Sequence, residues 1–250
     1  CSSDLGDFDE VSQKLAMEKI KAAEGLSEQA LIDALSRPNR RLREAVFELL
    51  ESMEINVVDL TRYTRNSLEQ AYICLVKVDA MDLFEEGKEK NLLKEHLLQK
   101  KDIILENIFR VLAINDSSSQ MRIVFRGIFS RDSSVRANSL ELLSDIVDRK
   151  IFDMFLPLTR NYTAYRAVSA GRKHFRLPVL AIKSEYFKAV LGGQDWVETV
   201  LALNLLQTQH TFPPKLEPAV SRLQSSDNPH IRQMAGNIDV QNPGPSGTDP

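Results

Sequence analysis

The stretch REAVFELL at residues 43–50 returns in a related form, RANSLELL, at residues 136–143. Each copy follows a short polar turn, SRPN at residues 36–39 and SRDSS at residues 130–134. A looser copy, LQSSDNPHIRQMA, occupies residues 223–235. A turn, an arginine and an apolar helix that recur along one chain are typical of stacked helical repeats. The recurrence therefore predicts an all-α fold, an α-solenoid of helix pairs.

The distance between copies indicates the size of the repeat. Arg43, Arg136 and Arg232 are separated by about 93 and about 96 residues, so two helix pairs of HEAT or armadillo size, about 40–47 residues each, fill each interval. One such pair cannot bury its apolar face alone, and neighbouring pairs must stack. We therefore expect a helical array over residues 1–238 with a break near residues 160–178. A disordered tail rich in Pro, Gly and Ser follows at residues 239–250.

Local patterns predict where some helices begin and end. Apolar residues recur at three- and four-residue spacing, and no segment has a convincing strand pattern. Residues 92–98 and 103–112 suggest two separate helices. Asp132 and the serines after it are good N-cap residues for a helix from Val135 to Val147. Pro157 is expected to interrupt the helical pattern.

The three repeated arginines, Arg43, Arg136 and Arg232, are interpreted as structural. Each lies about one turn into the second helix of a repeat, where it can reach acidic side chains or carbonyl groups of the turn between repeats. The alternative is an anion site made by the arginines clustered at residues 37–43. Recurrence of the arginine at one relative position favours the structural interpretation.

Composition excludes several classes of protein. The chain has 250 residues, 43% hydrophobic and 27% charged, with a formal net charge of −3. This balance does not support a general nucleic-acid binder, which is usually basic. Two cysteines are too few for a disulfide framework or a cysteine-rich zinc site, and we expect Cys74 to pack as a small apolar residue. Because no apolar run of about 18 residues occurs, no transmembrane helix is predicted in this sequence.

The first residue, Cys1, allows two interpretations. A mature bacterial lipoprotein begins with a lipid-bearing cysteine, and the sequence CSS at residues 1–3 suits one. The other interpretation is a fragment cut from a longer chain. We favour the fragment, because the apolar stripe of residues 11–23 already resembles a repeat helix and leaves little room for a polar tether.

A basic segment at residues 160–176 is the best candidate contact site for an anion or a partner. Its cations lie among tyrosine and phenylalanine residues, and arginines beside aromatic rings suit phosphate contact and stacking. The alternative is a solvated linker between two halves of the array. The candidate residues are Arg160, Arg166, Arg172, Lys173 and Arg176.

No pattern in the sequence predicts catalysis. The four histidines, at positions 96, 174, 210 and 230, have no ligand-like spacing, and no Ser-His-Asp or Cys-His arrangement can be proposed. We therefore expect no enzymatic activity and no catalytic, cofactor or metal site. Trp196 is expected to pack against the repeat that precedes it.

Several segments, taken in order, carry a specific resemblance. They are LSRPNRRLR at residues 35–43, LENIFRVL at 105–112, RGIFS at 126–130, VRANSLELL at 135–143 and DW at 195–196. Together they resemble the HEAT-repeat region in the soluble C-terminal part of bacterial proteins related to ATP/ADP exchange transporters of the major facilitator type. The resemblance spans roughly residues 30–235. It implies an all-helical array on the cytoplasmic side of a membrane protein, and it assigns transport or nucleotide binding to no residue of this chain.

The leading hypothesis is therefore a non-catalytic scaffold, a protein-interaction or regulatory domain attached to a transporter-like membrane protein. Its partner would be another protein or the covalently attached membrane domain, and no cofactor is expected. One alternative is a nucleic-acid or nucleotide binder acting through residues 160–176, which the acidic net charge disfavours. Another is a scaffold anchored in the bacterial envelope through a lipid on Cys1.

Overall fold

Helices account for every regular element that can be described. The computed structural model describes residues 28–35, 40–52, 60–114, 120–159, 162–209 and 212–238, and these ranges contain no strand. The predicted all-α class is confirmed. In chain order the α-helices are α1 (Glu28–Leu35), α2 (Arg40–Ser52), α3 (Leu60–Asp79), α4 (Lys88–Ile114), α5 (Gln120–Ile128), α6 (Ser133–Ile146), α7 (Arg149–Thr159), α8 (Ala164–Gly171), α9 (Lys183–Leu191), α10 (Trp196–Gln207), α11 (Glu217–Gln224) and α12 (Pro229–Gly236), with 3-10 turns at Ala80–Leu83 and Pro214–Leu216.

The described residues divide into two compact units. The first takes its residues from Cys1–Tyr72 and Asp102–Phe175, and the second from Ile73–Lys101 and Arg176–Pro250. Helices α3 and α4 each contribute residues to both units. The predicted tail at residues 239–250 lies outside the described residues.

In the first unit, helices that follow one another in the chain pack together as α1 with α2, α5 with α6, and α7 with α8. The apolar positions of the first copy of the repeated stretch, in α2, face inward, since Val46, Phe47 and Leu50 are almost fully buried, whereas Leu142 in the second copy is exposed. Phe109 of α4 contacts the rings of Phe125 and Phe155 at centroid distances of 5.5 and 4.9 Å. Tilted and edge-to-face aromatic pairs of this kind add stability beyond the burial of their surface.

The second unit has the same pairwise organisation, with α9 packed on α10 and α11 on α12. Helix α10 also contacts α12. Its aromatic core joins Phe84 to Tyr186 and Phe187, with ring centroids 5.0 and 5.3 Å apart. These three side chains are buried, as expected for a core built from amphipathic helices.

Two local predictions were wrong. Residues 92–112 form a single helix within α4, because the polar residues between the two apolar stretches, Gln99 to Asp102, include neither glycine nor proline and continue the helix. Pro157 lies inside α7, close to the end of that helix, and its ring is buried. It removes one amide donor there without ending the helix.

One capping prediction is confirmed. Asp132 is the N-cap of α6, and its Oδ1 accepts hydrogen bonds from the amides of Ser134 and Val135 at 2.8 and 3.3 Å. Such side-chain acceptors satisfy amide groups that have no partner in the first turn. The helix begins two residues earlier than predicted, at Ser133.

No helix in the described ranges has both the length and the apolar character needed to cross a membrane.

Candidate functional site

Two of the repeated arginines hold the turn that precedes their own helix. Arg136 Nη1 donates to the carbonyl oxygens of Ser130 and Arg131 at 2.6 and 3.0 Å. Arg232 Nη1 donates to the carbonyl oxygen of Ser226 at 2.6 Å. Each arginine therefore bonds the carbonyl six residues before it, so α6 and α12 begin in the same way.

The rest of the two turns is also equivalent. The amide of Asp132 donates to Ser130 Oγ at 3.1 Å, and the amide of Asn228 donates to Ser226 Oγ at 3.3 Å. Asn228 Oδ1 caps α12 by accepting from the amides of His230 and Ile231, as Asp132 does for α6. The shared pattern is a serine, an Asp or Asn two residues later, and an arginine six residues later.

Arg43 occupies the corresponding place at the start of α2, but the turn before it, residues 36–39, lies outside the described residues. Its charge acts on Tyr63 of α3: burial raises the pKa of Tyr63, while a hydrogen bond with Ser67 and the positive charge of Arg43 oppose that rise. One helix position after the arginine corresponds in all three copies. The third residue after each arginine is buried: Val46, Ser139 and Ala235.

The predicted basic contact site is only partly brought together. Arg160 lies outside the described residues. Arg166, Arg172 and Lys173 are exposed in the first unit, whereas Arg176 is exposed and belongs to the second.

Helix α8 and the turn after it carry the three predicted contact cations that are described in the first unit. Thr163 caps it, with Oγ1 accepting from the Arg166 amide at 3.4 Å. Ala167 and Val168 are buried, whereas Tyr165 and Arg166 on the other side are exposed. Arg166 lies on α8 itself, whereas Lys173 lies in the turn that follows the helix.

The C-terminal end of α8 is fixed by Tyr72 of α3. The Tyr72 hydroxyl donates to the carbonyl oxygen of Met154 at 2.8 Å, and its ring lies 5.5 Å from that of Phe175. Gly171 sits directly against this ring. Arg65, also on α3, donates to the carbonyl oxygen of His174 at 3.1 Å and lies over the Phe175 ring at 5.3 Å.

A second cluster, in the second unit, was not predicted. Buried Glu198 of α10 forms ion pairs with Lys77 of α3 and with Lys100 of α4, the latter at 2.7 Å. Lys100 also contacts Asp195 Oδ2 at 2.8 Å. His96, one turn before Lys100, places its Nε2 3.7 Å from the same oxygen, beyond hydrogen-bond distance.

The environment of this cluster keeps Lys100 and Asp195 in their charged forms. Burial acts to lower the pKa of Lys100, but Glu198 and Asp195 outweigh that effect and raise it. Burial acts to raise the pKa of Asp195, but His96 and Lys100 outweigh that effect and hold it below its usual range. Lys100 is therefore a poor base and Asp195 a poor acid at neutral pH.

Nearby Cys74 is buried and is not in a disulfide, as predicted. Burial raises the pKa of its thiol to about 11. Because the thiolate is the reactive form, this cysteine is a poor nucleophile at neutral pH.

His96, Asp195 and Glu198 could be considered as metal ligands, since their ligand atoms lie within 4.8 Å of one another. Both oxygens of Glu198 and one of Asp195 already contact lysine ammonium groups. A divalent ion there would have to displace Lys100, which is itself a bridging cation. The donor set therefore fits an ion-pair network better than a metal site.

Sequence reasoning missed this cluster because α10 lies about 100 residues after Lys100 in the chain, so its carboxylates meet the lysines of α3 and α4 only in the folded protein. Two local signals are present: His96 and Lys100 are one turn apart, and Asp195 and Glu198 have the N-cap to N3 spacing of a capping box. Asp195 does cap α10, through the amides of Val197 and Glu198. The Glu198 side chain instead binds the two lysines.

Trp196 departs from the prediction that it packs on the preceding repeat. It is the first residue of α10, is half exposed, and stacks on His230 of the later helix α12, with centroids 5.4 Å apart and planes at 23°. A small polar cavity of about 180 Å³ also opens in the second unit. Lys90 in its wall donates to the carbonyl oxygen of Phe84 and to Glu86, while Lys183 donates to Gln209.

Comparison with known proteins gave no family model that matches the chain, and no curated protein or solved structure similar to it.

Proposed function

We propose that this chain is a non-catalytic helical-repeat scaffold of the HEAT type that binds a protein partner. The observation that carries the proposal is the equivalence of the turns that open α6 and α12. Arg136 and Arg232 make the same bond to a carbonyl six residues back, and Asp132 and Asn228 cap their helices in the same way. A turn stabilised identically at two distant places in one chain is what duplication of a repeat unit produces.

The chemistry of the buried cluster supports a scaffold over an enzyme. Its titratable groups, Lys100, Asp195 and neighbouring Cys74, have pKa values moved away from neutrality. Catalytic groups need the opposite, a pKa near the working pH. The cluster is better suited to holding α3, α4 and α10 together within the second unit.

The scaffold is further proposed to be part of a larger chain that includes a transporter-like membrane domain. This step rests on the resemblance of residues 30–235, and the intact mass and N-terminal sequence of the protein from its source membranes test it. A much heavier chain with membrane-spanning sequence before Cys1 is expected. An acylated Cys1 at the N-terminus would instead favour the lipid-anchored scaffold.

Binding of nucleic acid or nucleotides through helix α8 is the second candidate function. The exposed Arg166 and Lys173 beside exposed Tyr165 favour it, because cations and aromatic rings together contact phosphates and stack on bases. Such binding weakens steeply with salt through counterion release. Fluorescence anisotropy with a labelled single-stranded oligonucleotide between 50 and 300 mM NaCl tests for such binding. Absent or salt-insensitive binding would remove this candidate.

A further inference from the structure

The polar cavity in the second unit, called the α4–α10 cavity below, has a wall made of two parts. The first part is the segment that follows the 3-10 turn Ala80–Leu83 together with the first turn of α4, and it contributes Glu85, Glu86, Glu89 and Lys90. The second part is the start of α9 together with the end of α10, and it contributes Lys183, Leu205 and Gln209. All of these residues belong to the second unit, so the cavity lies within one compact body.

Lys90 fixes the first part of the wall. It is 4% exposed, and its ammonium group donates to the carbonyl oxygen of Phe84 at 2.9 Å and to Oε1 of Glu86 at 2.7 Å. Glu86 thus balances the charge of Lys90 within the wall. The segment that carries Glu85 and Glu89 is therefore tied to the body of the unit before any ligand binds, which lowers the entropy lost on binding.

The other charges of the wall are not balanced. Among the described residues, the carboxylates of Glu85 and Glu89 have no ion-pair or hydrogen-bond partner. Lys183 donates to Oε1 of Gln209 at 2.9 Å, which is an uncharged acceptor, and an ammonium group has further donors. The same ammonium group lies 5.8 Å from the centre of the Phe84 ring, close to the segment that begins at Glu85. The cavity therefore offers unpaired carboxylates on one part of its wall and an ammonium group without a carboxylate partner on the other.

We propose that the α4–α10 cavity binds a free α-amino acid with a small side chain. The ammonium group of such a ligand pairs with Glu85 and Glu89, and its carboxylate accepts hydrogen bonds from Lys183. Buried Leu205 offers apolar surface to a short side chain. The volume of about 180 Å³ corresponds to about six water molecules, which limits the ligand to a small molecule.

Only a ligand that carries both charges satisfies the whole wall. A simple anion at Lys183 is opposed by the two unpaired carboxylates, and a simple cation at Glu85 and Glu89 is opposed by Lys183. A zwitterion places an opposite charge at both parts of the wall. The inference does not depend on the scaffold proposal, because it rests on the cavity alone, and its failure would leave that proposal standing.

Saturation-transfer NMR on the full chain tests the proposal with L-alanine as the probe. Binding should saturate at millimolar ligand. N-acetyl-L-alanine lacks the ammonium charge and L-alaninamide lacks the carboxylate, so each should bind at least fivefold more weakly. L-Tryptophan should also bind at least fivefold more weakly, because its side chain is too large for the cavity. Absence of saturation, or equal binding of any of these three analogues, would overturn the proposal.

Substitutions in the wall locate the binding site. K183M and the double variant E85Q/E89Q should each weaken binding of L-alanine at least fivefold, because each removes the charge that holds one end of the ligand. K188M, exposed on α9, and E95Q, exposed on α4, are the controls and should bind as the wild type does. Circular dichroism checks that each variant is folded. Binding that is insensitive to K183M or to E85Q/E89Q, or that the controls weaken equally, would overturn the proposal.

Discussion

A Cβ atom added to Gly171 would stand 2.5 Å from Cδ1 and Cε1 of Tyr72. The same tyrosine binds the Met154 carbonyl through its hydroxyl and packs on Phe175 through its ring. Tyr72 of α3 therefore fixes both α7 and the end of α8, and it can do so only because residue 171 has no side chain. This contact positions the exposed cations of α8.

Substitution G171A is expected to destabilise the chain by about 1–3 kcal/mol, because the Tyr72 ring must move out of a packed core. Substitution G236A is the matched control. A Cβ at Gly236 meets nothing within 4 Å, so its effect should not exceed about 1 kcal/mol and should be stabilising if anything. Urea unfolding followed by circular dichroism measures both. Equal losses in the two variants would show that the contact with Tyr72 is not tight.

Substitution R136A should cost about 1.5 kcal/mol, because it removes two charge-assisted hydrogen bonds to the turn before α6. R232A should also lower stability, because it removes the hydrogen bond to the carbonyl oxygen of Ser226. R131A, whose side chain is exposed beside the same turn, should change stability by less than about 0.5 kcal/mol. Thermal unfolding of the three variants tests this, and a loss in R131A as large as that in R136A would contradict a special role for the repeated arginine.

Neutralising Glu198 should strongly destabilise the second unit. In E198Q the largely buried ammonium group of Lys77 loses its carboxylate partner, which costs about 3 kcal/mol, whereas Lys100 keeps its ion pair with Asp195. E44Q is the control: Glu44 pairs with Arg110 at the surface, where an ion pair contributes at most about 1 kcal/mol. Denaturant midpoints measure the difference in stability between the two variants. If E198Q is as stable as the wild type, the buried network is dispensable for stability.

Stability should also fall in acid through Asp195. Its pKa is lower in the folded protein than in the unfolded chain, so folding favours the ionised carboxylate. This contribution is complete above about pH 5 and is lost as the pH falls below about 4, toward the folded-state pKa. Thermal midpoints from pH 7 to 3 should fall less steeply in D195N than in the wild type. Parallel pH profiles would show that Asp195 makes no such contribution.

The thiol of Cys74 should resist alkylation at neutral pH. Because burial raises its pKa to about 11, its thiolate fraction at pH 8 is about 100-fold below that of an ordinary thiol. In the C1S variant, iodoacetamide should therefore modify the folded chain at least 100-fold more slowly than glutathione, and 6 M guanidinium chloride should remove the difference. Rapid modification of the folded chain would indicate that the α3 segment around Cys74 opens readily.

Local features were predictable because neighbours in the chain determine them. The Asp132 cap, the carbonyl contacts of Arg136 and Arg232, and the burial of Cys74 all follow from short-range sequence patterns. The continuous α4 was not predicted, because a polar stretch can continue a helix as well as end one.

The buried cluster lay beyond local reasoning for a different reason. Lys77, Lys100 and Glu198 meet only after three helices have packed, and the local spacing of His96 with Lys100 and of Asp195 with Glu198 does not show that they meet. Trp196 was likewise assigned to the wrong neighbour, since its partner His230 comes from a later helix. Contacts between distant segments set the charge chemistry of this protein.

Exchange of one repeated turn for the other tests most directly whether they are copies of one scaffold unit. The sequence SDNPHIR at residues 226–232 would be replaced by SRDSSVR from residues 130–136, and, in a control, by SRRSSVD. Both exchanged chains lose His230. Only the control moves the capping carboxylate and the arginine to the wrong positions. If the turns are equivalent, the exchanged chain unfolds cooperatively within a few degrees of the wild type, and the control loses at least about 2 kcal/mol more. Equal destabilisation of both chains would contradict a common repeat unit.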